Sequence, residues 1–184
     1  MGEVTELLKR VHQNDRAALD ELVALMYPDL HRMAGKRLAH NDTITLLDAT
    51  SMVHEVYLRL RNTGRIDAQS RPQFIVYAAQ VLRSVMVDFA RKRRAARRGG
   101  GQADVTLSEE LAGGLGGTDE DIERVDDALK ELEDADPRLK HVVEMRYFGG
   151  FSDLEIAEAL GITDRTVRRD WERARLLLAV GLKK

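Results

Sequence analysis

Residues 151–175, FSDLEIAEALGITDRTVRRDWERAR, constrain the fold more than any other stretch of the chain. Ile156, Ala157 and Leu160 fall on one face of a first helix. Gly161 ends that helix, as a residue free to take positive φ does at a helix C-terminus. Thr163 is a side-chain N-cap for a second helix, whose buried side carries Val167, Trp171, Ala174 and Leu178. Ala157 is small where the two helices must approach closely. The pattern is a helix-turn-helix. The other face of the second helix displays Arg165, Thr166, Arg168, Arg169, Arg173 and Arg175. Forked donors on one helical face suit guanine edges and phosphates in a major groove. A helical hairpin with a solvated basic face is the plainer alternative. The coincidence of turn, cap, small residue and arginine face favours DNA binding.

The N-terminal part reads as helices throughout. Residues 3–12 form a short amphipathic helix. Asp15 caps the next, where Leu19, Leu22, Val23 and Met26 recur at helical spacing. Pro28 is expected to begin a new turn or kink; Leu30, Met33, Ala34 and Leu38 continue the stripe. A third helix covers about 49–61, with Val53, Val56, Tyr57 and Leu60 inward. After the loop 62–71, NTGRIDAQSR, a long helix starts near Pro72, a suitable first-turn residue. Its stripe is Phe74, Tyr77, Ala78, Val81, Leu82, Val85 and Phe89. It ends in ARKRRAARR, residues 90–98. Such a run by itself reads as a disordered or nuclear-localising tail. Here it continues an amphipathic helix, so its charges stand on an ordered rod suited to phosphates.

Charge is segregated along the chain. Residues 1–103 hold 17 Lys and Arg against 11 Asp and Glu, a net of +6. Residues 104–136 hold 2 against 13, a net of −11, and residues 138–184 hold 10 against 7, a net of +3. The middle also contains the Gly-rich stretches RRGGGQ and LAGGLGGTDED, which read as a flexible linker. The expected fold is therefore all-α, with two small helical domains at 1–96 and 120–184 joined by an acidic linker at 97–119. That linker is either a solubilising spacer or a competitor of nucleic acid for the basic surfaces.

Several function classes are disfavoured. The chain has no cysteine, so nothing supports disulfides or a thiolate metal site. No apolar run approaches a membrane span, and MGEVTELLKR is no signal peptide; the MG start lacks the Ser or Thr of a myristoylation site. A cytoplasmic location without membrane contact is the default. His12, His31, His40, His54 and His141 are scattered without metal spacing, and the glycines lack the setting of a phosphate loop. A nucleic-acid enzyme is thus poorly supported, and no cofactor, metal or catalytic residue is expected. A stand-alone helix-turn-helix regulator would need a dimerisation element for a palindromic site, and no heptad repeat supplies one.

Four segments together, in order and spacing, resemble extracytoplasmic-function (ECF) sigma factors of bacterial RNA polymerase, of the sigma-70 superfamily. They are DATSMVHEVYLRLR (48–61), FIVYAAQVLRSVMVDFARKRR (74–94), VVEMRYFGGFSDLEIAEALGIT (142–163) and TVRRDWERAR (166–175). The likeness covers nearly the whole chain. It implies a sigma region 2 bundle at 1–96 and a region 4 helix-turn-helix at 120–184. The partners it implies are core RNA polymerase, through the β′ clamp helices and the β flap, and promoter DNA. An anti-sigma factor is a further partner of the family. The helix at 49–61 would dock on the polymerase through Asp48, Thr50, Ser51, Glu55 and Arg59. The loop 62–71 and the helix at 72–94 would read and melt the −10 element, pocketing a flipped base. Arg65, Arg71, Arg83, Arg91, Arg93 and Arg94 would supply charge there, and Gln73 a neutral polar contact. Arg165, Thr166, Arg168, Arg169 and Arg173 would bind the −35 element.

One departure stands out. Family members carry Asp-Ala-Glu-Asp at the docking helix, where this chain has Asp48-Ala49-Thr50-Ser51. Two carboxylates are replaced by hydroxyls, which should weaken docking to a basic partner by about 1–3 kcal/mol. Thr50 and Ser51 could be plain first-turn residues behind an Asp48 cap, or the docking surface could be retuned. Alternatively, phosphate on Thr50 restores about two negative charges in a first turn where the helix dipole favours an anion by about 0.3–1 kcal/mol. Thr50 resembles a threonine found in a subgroup thought to depend on Ser/Thr kinases. Thr50 is preferred over Ser51, and Thr63 lies past the docking helix.

Overall fold

The computed structural model describes residues 2–38, 48–63, 65–97 and 119–181, and every regular element among them is helical. Helix α1 (Glu3–His12) buries Val4, Leu7 and Leu8. The Ala18 N–H donates to Asp15 Oδ1 at 3.1 Å, so Asp15 caps α2 (Arg16–Leu38) as its position suggested. Pro28 neither starts nor splits an element: α2 runs through it. A proline there lacks a donor and crowds the turn before it. Burial of Leu22 and Met26 before it and Leu30, Met33 and Ala34 after it holds both halves on one core and offsets that cost.

Helix α3 (Ala49–Thr63) buries Met52, Val53, Val56 and Leu60. Tyr57, expected inward, is half-buried, and its hydroxyl donates to Asp20 Oδ1 at 2.8 Å. Helix α4 (Arg71–Arg97) carries the stripe Phe74, Ala78, Val81, Leu82 and Val85. Phe89 is only half-buried, whereas Ala79, Met86 and Val87 are fully covered. The reason lies in packing: α2 and α3 cover one side of α4, and elements from the C-terminal half cover another.

Helix α5 (Asp119–Ala135) begins inside the glycine-rich stretch read as linker; the rest of that stretch lies outside the described residues. Asp136 caps α6 (Pro137–Val143), accepting from the Arg138 N–H at 3.1 Å. A single π turn (Glu144–Phe148) follows, then α7 (Asp153–Leu160) and α8 (Asp164–Gly181). The π turn, α5 and α7 all pack on α4. One buried apolar cluster runs from Val4 through α4 to Leu178, so α4 is the hub of the molecule.

Candidate nucleic-acid and polymerase interfaces

The helix-turn-helix is built by local chemistry. Ser152 and Glu155 form a reciprocal capping box at α7: the Ser152 N–H donates to Glu155 Oε2 at 2.8 Å, and Ser152 Oγ accepts from the Glu155 N–H at 3.4 Å. Gly161 ends α7 at φ 66° and ψ 33°, the left-handed region that its missing Cβ permits. Thr163 caps α8, its Oγ1 accepting from the Thr166 N–H at 3.2 Å. Val167, Ala174 and Leu178 are buried as expected. Trp171 is half-buried, and the Arg146 guanidinium lies 4.8 Å from its ring centroid.

The outer face of α8 exposes Arg165, Arg168, Arg169 and Arg173, with Thr166 partly covered. Arg168 pairs with Asp164, one turn back. Arg169 lies 3.4 Å from Asp170, and Arg173 3.7 Å from Asp136. The more exposed Arg168–Asp164 and Arg173–Asp136 pairs are each worth about 0–1 kcal/mol. The arginines can therefore exchange a carboxylate for phosphate or a base edge at small cost. Asp170 is different. It is buried and accepts from Arg138 Nε at 2.7 Å. The apolar stripe gives no hint of it; the signal was an acid flanked by core positions Val167 and Ala174.

Around α4 the picture is more closed. An open cavity of about 410 Å³ between α3 and α4 is lined by Arg59, Asn62, Thr63, Tyr77, Gln80 and Ser84. The neighbouring loop is pinned: His12 Nε2 meets the Ile66 carbonyl at 2.8 Å, and the Tyr77 hydroxyl donates to the Arg65 carbonyl at 3.3 Å. Gln73 accepts from the Gln69 N–H at 2.8 Å, and Arg71 holds Asp29 at 2.7 Å. Arg65 is exposed beside them. Arg59, read as a docking residue, turns its guanidinium to Ser84 and Asp88 of α4.

Arg83, read as a DNA contact, sits in a seam between the two halves of the chain and is 17% exposed. Its Nη1 is 3.1 Å from Glu144 Oε1 in the π turn, and its Nε is 3.6 Å from Asp126 Oδ1 in α5. Arg91 reaches the other Asp126 oxygen at 3.4 Å. Glu144 is 1% exposed and also meets His141 Nδ1 at 3.3 Å. Gln80 Nε2 lies 3.3 Å from the same ring nitrogen. Neither acid was singled out from the sequence, although Glu144 interrupts the apolar run Val142-Val143-Glu144-Met145. The side chains of Arg93 and Arg94 lie outside the described residues.

At the start of α3, Asp48 Oδ1 accepts from the Ser51 N–H at 2.7 Å. That bond, with help from the Ser51 hydroxyl, the Thr50 N–H and nearby His31, holds the Asp48 carboxyl below its ordinary range. Thr50 and Ser51 are exposed, Glu55 is half-exposed, and the first turn carries no acidic side chain.

Among the described residues, no helix is long and apolar enough to cross a membrane. Among curated proteins none matches the chain significantly. A family model described as ECF sigma factor matches residues 1–184. With a capped helix-turn-helix at one end and an α-helical bundle around a basic-ended helix at the other, the chain belongs to the ECF sigma factor family.

Proposed function

We propose that this sigma factor engages core RNA polymerase through the N-terminal part of α3, and that phosphate on Thr50 strengthens that engagement. Members of the family bind core polymerase and direct it to promoters, so the chain is a transcription initiation factor. In the proposed division of labour, α8 reads the −35 element through Arg165, Thr166, Arg168, Arg169 and Arg173. Helix α4 serves the −10 element through Arg83, Arg91, Arg93 and Arg94, and the cavity beside Thr63 and Tyr77 takes an unstacked base. Asp48, Glu55 and Arg59 complete the docking surface, with Ser51 the second candidate for modification.

The observation that carries the switch is the first turn of α3. It presents two exposed hydroxyls and no carboxylate beyond the capping Asp48. A phosphate there adds about two charges at the positive end of a helix. A Ser/Thr kinase is the partner this requires, and control by an anti-sigma factor is the competing arrangement.

The test compares core polymerase affinity for the unmodified protein, for Thr50→Glu and for protein phosphorylated at Thr50. Weak binding that tightens with added charge supports the switch. Tight binding by the unmodified protein keeps the sigma factor and removes the switch.

A further inference from the structure

We infer that the loop strand Arg65–Ser70 presents Asp67 as a preset, acceptor-only group that selects guanine in the melted strand, and that His12 of α1 is its positioning residue. The loop's place in the −10 reader is taken over from the function proposed above. From Arg65 to Gln69 exposed and buried residues alternate: Ile66 and Ala68 are 1% and 2% exposed, while Arg65, Asp67 and Gln69 are open to solvent. That is the period of extended chain, in which neighbours point to opposite sides. The two buried anchors therefore turn Asp67 outward. The backbone leading into Asp67 is held twice. His12 Nε2 meets the Ile66 carbonyl at 2.8 Å, and the Tyr77 hydroxyl meets the Arg65 carbonyl at 3.3 Å. A carbonyl only accepts, so Nε2 is the protonated ring nitrogen. Consecutive planar peptides are thereby fixed from two different helices, α1 and α4.

An acid is out of place in a nucleic-acid reader unless something there donates to it. A phosphate would repel the Asp67 carboxylate, and the nearby cations are engaged elsewhere. Arg71 holds Asp29 at 2.7 Å, and the Arg61 guanidinium lies 5.7 Å from the Tyr57 ring centroid. Among the described residues the Asp67 carboxylate has no hydrogen bond or ion pair. It stands close to Tyr77, which lines the cavity between α3 and α4. Burial first, and the Asp67 charge behind it, hold that phenol above its ordinary range against the opposing contact of Thr63. An ionised carboxylate accepts at both oxygens and donates nothing. Guanine alone among the bases offers adjacent donors, N1–H and the N2 amine, on the edge freed when it leaves its pair. Cytosine and adenine place a ring acceptor beside their amine, and thymine flanks its N3–H with carbonyls. Unstacked bases are read on that edge. A loop already held in place avoids the cost of being ordered on binding.

The test is selection from a promoter library, randomised across both elements, by core RNA polymerase saturated with the full-length chain, so that docking strength does not decide the outcome. The parent should enrich guanine about tenfold over the other bases at one −10 position. Asp67→Asn, whose amide donates as well as accepts, should lose that preference. His12→Ala should lower it at least about threefold, since one neutral hydrogen bond is a factor of about 2–12 in the held loop. His12→Gln, which keeps a donor, should restore it. His12 is exposed, so neither change disturbs the core. Enrichment at the −35 positions should be the same in parent and variants. Hypoxanthine at the selected position lacks the N2 amine; it should weaken binding to the parent and leave Asp67→Asn unchanged. Three results overturn the inference while the −10 reading stands: a parent that enriches other −10 bases but not guanine, guanine retained by Asp67→Asn, or a preference that His12→Ala leaves intact or His12→Gln loses equally. A parent that enriches no −10 base removes that reading as well.

Discussion

Arg83→Ala should destabilise the folded protein far more than loss of a surface arginine. The guanidinium sits 3.1 Å from Glu144 and 3.6 Å from Asp126. At an effective dielectric of about 20, each contact has a gross attraction of about 5 kcal/mol. Part of the loss is absorbed: Asp126 keeps Arg91 at 3.4 Å and Lys130 at 3.2 Å. Glu144 keeps His141 at 3.3 Å and is 1% exposed, so it is the stranded charge. Stranding one buried charge costs about 3–5 kcal/mol; the remaining partners place this case near 3. Urea denaturation followed by helical circular dichroism measures it, as a lower midpoint with a similar slope. Glu144→Gln in the Arg83→Ala background should recover about half, because it removes the stranded charge and not the lost packing. A cost below about 1 kcal/mol would mean that water already screens the pair. The seam would then be loose.

Two further outcomes follow from the helix-turn-helix. Burial opposes ionisation of Glu155, yet the Ser152 hydrogen bonds and the Arg32 guanidinium outweigh it and bring the carboxyl from 4.5 down to about 2. A depressed pKa contributes stability that is complete above pH 4.5 and is lost as pH falls toward 2. Melting temperature of the parent should drop across that window, and Glu155→Gln should flatten the drop; parallel profiles would refute the assignment. Arg168→Ala or Arg169→Ala should cost about 1–3 kcal/mol at particular −35 bases. An equal loss on every promoter tested by polymerase footprinting would reassign them to phosphates.

The sequence was most legible where structure is local. Gly161, Thr163 and Asp15 act at a helix end within three residues of their own position, and each does what its residue type dictates. The Ser152 capping box is legible in a Ser and a Glu three residues apart. Pro28 does not end its helix, because burial on both sides of it outvotes a local penalty. Phe89, Met86 and Val87 departed from a single-stripe reading because α4 is wrapped on more than one side. The largest gap concerned charge. Asp126, Glu144 and Asp170 draw no individual expectation from the sequence, and Arg83 is expected at DNA. Their partners are far off in sequence, 32 residues for Asp170, a distance no periodicity encodes. For Arg83 that separation is 43 to Asp126 and 61 to Glu144.

The buried pairing of Asp170 with Arg138 has a consequence for how such a protein changes its target. Asp170 fixes the rotational setting of α8 about its own axis, and its other oxygen lies 3.4 Å from Arg169, which points outward. The keel of the reading helix is thus separate from its lettering. Outward residues can be exchanged like type in a frame that stays true, and promoter preference can drift without loss of the fold. A change at Arg138, which is not among the base-reading residues, would instead turn the whole frame and shift every letter at once.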